Sequence, residues 1–137
     1  MKKAQLNIKS DLKELFRVRS FIREFCESTG EAFLDDDRIA DMELVSTEVV
    51  SNIIKYSYHH FKDKLILIKA KSLKDRIVFL FYDWGNSSFS PPEKISKPVP
   101  GQLNQYGLYI IECMVDKVVY SRDKTGKNCC CLILMKK

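Results

Sequence analysis

Apolar side chains recur along the chain at two spacings, and the changes of spacing mark out its elements. Residues 4–9 (AQLNIK) alternate apolar and polar, the period of a half-buried strand. Leu12, Leu15, Phe16, Arg19, Ile22 and Cys26 then form a mostly apolar stripe at helical spacing. Ser10 or Asp11 can cap that helix, with Glu14 completing a capping box after Asp11, and Ser28-Thr29-Gly30 ends it. Asp35, Asp36 and Asp37 place anions at the positive end of a second helix, whose buried face is Ile39, Met42, Val45, Val49 and Ile53, and which runs to about Tyr58. Two strands follow, Leu65 to Lys71 and Arg76 to Tyr82, joined across Ser72–Asp75 by a loop short enough for a hairpin. A third helix starts near Gly107 and includes Leu108, Ile111 and Val115. The last strands, Lys117 to Ser121 and Asn128 to Met135, flank a turn at Lys124–Gly126.

This order predicts a single α+β domain over residues 1–137, a two-layer α/β sandwich with three helices on one face of the sheet. The sheet is expected to be mixed but mostly antiparallel, because the connection through the third helix can be a crossover. Residues 83–106 contain all four prolines and no periodic pattern. A loop of that length inside a compact domain is usually functional.

Composition narrows the classes. The net charge of +5 is carried by scattered lysines with no basic stripe and no interleaved aromatics, which reads as a solvated surface with no direct nucleic-acid role. No stretch approaches the length of a membrane span and no apolar signal region follows the first lysines, so a cytoplasmic protein without membrane contact is expected. The cysteines include the consecutive Cys129, Cys130 and Cys131, which alternate faces in a strand and are poorly placed to pair. Without a C-x-x-C pair they read as reduced structural thiols, with no metal site of their own.

Three stretches can carry chemistry. Glu48 and Asn52 stand one turn apart on the second helix, each flanked by apolar residues, so their shared face lies near the core. The Asn amide oxygen suits Mg²⁺ and the Glu can take a proton from a nucleophile. Alone, the pair is equally a polar face with an i,i+4 hydrogen bond. Asp83 ends an apolar strand and Gly85 bares the backbone beside it, which fits either a turn or a carboxylate and floor for a flat base. Gly107 stands where a loop runs into a helix start, a place with free N–H groups for phosphate or simply a helix beginning.

Together, Glu48-x-x-x-Asn52, Asp83-x-Gly85 and Gly107-Leu108 resemble the N, G1 and G2 boxes of the GHKL (Bergerat-fold, histidine-kinase-like) ATPases. The strings EVVSNIIKYSY from Glu48 and GLYIIECMVDKVVY from Gly107 are similar to those of the small bacterial anti-sigma-factor serine/threonine kinases. The resemblance implies an ATP site with Mg²⁺. Glu48 would activate the attacking hydroxyl, Asn52 would bind Mg²⁺, Asp83 would contact adenine over Gly85, and Gly107 would lie near the phosphates under a short lid at about 86–106. It also implies a sigma factor and a small antagonist protein as partners, with a homodimer common in the family. Ser87 and Gln105 stand where the family usually has further glycines, and Lys94 and Lys97 in the lid can supply positive charge there. These departures leave open a catalytically weakened module of the same fold that regulates by capture alone.

Overall fold

Alternation builds the sheet. In the computed structural model, which describes residues 2–86 and 106–137, five strands form: β1 (Lys3–Lys9), β2 (Leu65–Ser72), β3 (Arg76–Asp83), β4 (Lys117–Arg122) and β5 (Asn128–Met135). Their spatial order is β1-β2-β3-β5-β4. Between them run helices α1 (Leu15–Thr29), α2 (Asp36–Asn52) and α3 (Tyr106–Met114). Even positions of β1, β2, β5 and β4 and odd positions of β3 turn inward. Ile8, Ile66, Ile68, Ile77, Phe79, Phe81, Leu132 and Leu134 therefore meet Val18, Ile22 and Phe25 of α1, Met42, Val45 and Val49 of α2, and Ile111 of α3. The two-layer sandwich with its helices on one face follows from that burial.

Every hydrogen-bonded strand pair is antiparallel, which corrects the expected mixed sheet. The connection through α3 does bring β4 parallel to β3. However, β5 folds back between them, so the two are never neighbours.

The helix ends depart from expectation in two places. Asp11 caps a short 3₁₀ turn (Leu12–Glu14) by accepting from the Lys13 N–H, and α1 starts only at Leu15. The Glu14 carboxylate pairs with Arg17 at 3.1 Å and does not close a capping box. Ser10 is no cap either, since its hydroxyl bridges the Phe61 carbonyl and the Lys64 N–H. The other exception is that α2 stops at Asn52 and continues as a π-helical turn (Ile53–Ser57), closed by Tyr58 N–H to Ile53 O at 2.9 Å. Elsewhere the signals hold: Asp35 caps α2 through the Arg38 N–H, and Gly30 ends α1 with φ at +67°, a conformation that favours glycine.

The outward face of the sheet is uncovered by any helix of the described residues. It carries Leu67, Val78, Leu80, Tyr82, Val119 and Ile133 together with Lys3, Lys9, Lys69, Lys71, Arg76 and Lys117, and no carboxylate occupies any of its strand positions. Lysines that look scattered in sequence are thus collected by strand pairing. Cys129 and Cys131 share this face, while Cys130 points inward, where burial pushes its thiol well up. All five thiols are free. Among the described residues no helix is long and apolar enough to cross a membrane.

The lid expected over 86–106, with Ser87, Lys94, Lys97 and Gln105, lies outside the described residues apart from its two ends. For the core, Phe79 is fully buried and meets Phe25 edge-to-face at 6.0 Å between ring centroids. Phe79→Ala is expected to cost about 3–5 kcal/mol of stability, read as a lowered urea midpoint.

Candidate functional site

The inward-facing row of β3 ends on a carboxylate. Asp83 is 4% exposed, so its charge must be met by donors. They converge on one oxygen. Asp83 Oδ1 accepts from the Ser57 hydroxyl, from the Gly85 N–H at 3.0 Å and from Asn128 Nδ2 at 2.9 Å. None of these donors engages Oδ2.

Each donor arrives by a different structural device. Ser57 comes from the π-helical turn after α2. Residues five apart share a face in such a turn, so Ser57 follows Asn52 on the side of the helix that carries Glu48 and Asn52. Gly85 folds back over Ser57. A Cβ on Gly85 would meet the Ser57 hydroxyl and backbone carbonyl, with the carbonyl carbon at 2.8 Å, so only glycine fits. Asn128 opens β5 directly opposite Asp83 in the β3–β5 register. Its amide also donates to Gly85 O at 3.2 Å, and its Oδ1 accepts from Arg122 at 3.4 Å. The same Arg122 nitrogen donates to the carbonyls of Gly85 and Asn86, each at 3.3 Å.

The Tyr58 phenol beside this cluster is equally fixed. Tyr58 donates to Leu65 O at 2.6 Å and accepts from the Trp84 N–H at 2.8 Å. Burial pushes the Tyr58 phenol up, with the Asp83 charge adding to it and the Trp84 N–H opposing, so the O–H stays a donor. Trp84 itself is 39% exposed at the rim.

The second half of the site forms around Glu48. A Cβ on Gly107 would lie 2.6 Å from Glu48 Oε2 and 3.8 Å from Asn52 Oδ1. The first turn of α3 therefore rests on the Glu48 carboxylate and beside the Asn52 amide. Free N–H groups and the positive dipole end suit a carboxylate or a phosphate there. The structure thus brings Glu48, Asn52 and Gly107 together, and joins them to Asp83 and Gly85 through the turn from Asn52 to Ser57.

A family model for the histidine kinase-like ATPase domain matches residues 8–134. The chain belongs to that family. No curated protein matches it significantly. The histidine kinase-like ATPase fold accounts for the antiparallel sheet and its three helices, and domains of this family bind ATP. The two clusters around Asp83 and Glu48 fit such a ligand: one buried acceptor at a glycine floor, and a helix start above two oxygen donors.

Sequence reasoning did not reach Ser57, Asn128 or Arg122. A signal existed for Asn128, which shares the inward parity of Cys130, Leu132 and Leu134 and is the polar member of that row. Ser57 depends on a π turn, and Arg122 on strand pairing, neither of which a periodic pattern shows.

The two glycines predict different outcomes. Gly85→Ala drives a Cβ into backbone, so it should cost about 1–3 kcal/mol or more in chemical denaturation. Gly107→Ala strikes only the flexible end of Glu48 and gains helix preference, so stability should change by less than about 1 kcal/mol. Equal losses in the two denaturation curves would contradict the packing described.

Proposed function

We propose that the chain is an ATP- and Mg²⁺-dependent protein-serine/threonine kinase of the anti-sigma type. It holds a sigma factor and phosphorylates a small antagonist protein, both in the cytoplasm. The observation that carries this reading is the junction of the Asp83 floor with the Glu48–Asn52–Gly107 cluster through one helical turn. The strings from Glu48 to Tyr58 and from Gly107 to Tyr120, similar to those of anti-sigma kinases, favour a protein hydroxyl as the acceptor.

ATP would supply the γ-phosphoryl group, and a Mg²⁺ held at Asn52 would neutralise the charge that develops on it. The chain supplies position. Asp83 accepts an N–H of the base, and Gly85 lets the base lie close to the floor. Asn52 offers Mg²⁺ an amide oxygen, with Glu48 one turn away. The first-turn N–H groups of α3 meet phosphate oxygens. Glu48 takes the proton as the Ser or Thr oxygen bonds to the γ-phosphorus and the bond to the bridging oxygen breaks, leaving phosphoprotein and ADP.

The test is transfer from labelled ATP to an antagonist protein encoded beside this chain. Wild type should transfer phosphate, and Glu48→Gln should lower the rate at least about 100-fold while Mg-ATP binding persists. Transfer unaffected by Glu48→Gln would remove the base from the scheme. Capture of the partner with no transfer by wild type would support a binding module of the same fold.

A further inference from the structure

The β4–β5 hairpin reaches the Asp83 cluster through two side chains that the proposed chemistry does not use. We propose that Asn128 and Arg122 are positioning residues that set the base selectivity of the nucleotide site. This rests on the reading of Asp83 as the base contact.

Selectivity at a carboxylate depends on which oxygen the ligand meets and on how firmly it is held. Ser57, Gly85 and Asn128 all donate to Oδ1, so that oxygen is saturated and Oδ2 is left for a ligand. A carboxylate oxygen only accepts. The 6-amino group of adenine brings it an N–H. The 6-oxo group of hypoxanthine or guanine brings a second acceptor, and the buried oxygen is left unpaired against it.

Rotation of the carboxylate would blur this distinction by letting water or a turned oxygen receive either base. Asn128 opposes rotation, and its own orientation is unambiguous. Nδ2 faces the carboxylate at 2.9 Å and Oδ1 faces Arg122 at 3.4 Å, so a flipped amide would set a carbonyl against Asp83 and N–H groups against a guanidinium. One Arg122 nitrogen, its two hydrogens shared among three acceptors, favours that amide orientation and also reaches the Gly85 and Asn86 carbonyls, each at 3.3 Å. One cation on the outer strand thereby fixes both the carboxylate's partner and the loop beneath the base. Arg122 lies at the surface, so its removal disturbs little packing.

ATP and ITP differ only in the purine ring around position 6 and separate this role from a structural one. Calorimetry of the full chain with each Mg-nucleotide should show wild type binding ATP at least about 10-fold tighter than ITP, since a site built to bond one group rejects the analogue lacking it. Arg122→Ala and Asn128→Ala should shrink that ratio to about 3-fold or less, mainly by weakening ATP. Arg122→Ala carries the test if Asn128→Ala folds poorly. A ratio unchanged in the folded variants, whether both affinities fall together or neither moves, overturns the role of Asn128 and Arg122 alone. Equal binding of ATP and ITP by wild type, or no binding of either, removes the base contact of Asp83 and this inference with it.

Discussion

A carboxylate buried at the end of a sheet strand cannot stand without donors, and the way Asp83 obtains them organises the rest of this molecule. The hydroxyl comes from the π turn after α2, the backbone N–H from the loop after β3, and the amide from the first residue of β5. Three elements distant in sequence are therefore pinned at one oxygen. A buried polar network of this kind specifies one arrangement when fully satisfied, because each member left unpaired costs more than its bond contributes. All three donors meet the first carboxylate oxygen, and none of them engages the second.

The π turn at Ile53–Ser57 is the device that lets one helix serve both halves of the site. An α-helix continued past Asn52 would carry Ser57 away from the N-box face. The wider turn brings it round, at the expense of regular helical hydrogen bonding. Glu48 and Asn52 then point toward α3 while Ser57, a few residues on, secures Asp83. Gly107 and Gly85 complete the two halves by the same physical means, an absent Cβ that permits close approach, to a flexible carboxylate in one case and to rigid backbone in the other.

Much of the fold was legible because its signals are local. The β2–β3 hairpin was readable from strict alternation around a short turn, and the buried stripe of α1 from helical spacing. Asp83, Glu48 and Asn52 stood out as a carboxylate or amide beside apolar residues, and Gly107 as a glycine where a loop runs into a helix start. Most of what escaped depends on long-range pairing. Asn128 meets Asp83 only through the β3–β5 register, and β5 inserts between β3 and β4, which turned the expected mixed sheet into an antiparallel one. Lys69, Lys71 and Lys117 became one cationic face by the same strand pairing. The Glu14 carboxylate, which by spacing could close a capping box, pairs with Arg17 on the next turn instead.

As the floor of an ATP site, the Asp83 cluster should govern nucleotide binding. Calorimetric titration of the wild-type chain and of Asp83→Ala with Mg-ATP tests it most directly, with circular dichroism confirming that the variant is folded. Wild type should bind one-to-one, and that heat should be lost in Asp83→Ala. Absence of binding by wild type, or undiminished binding by a folded Asp83→Ala, would contradict it.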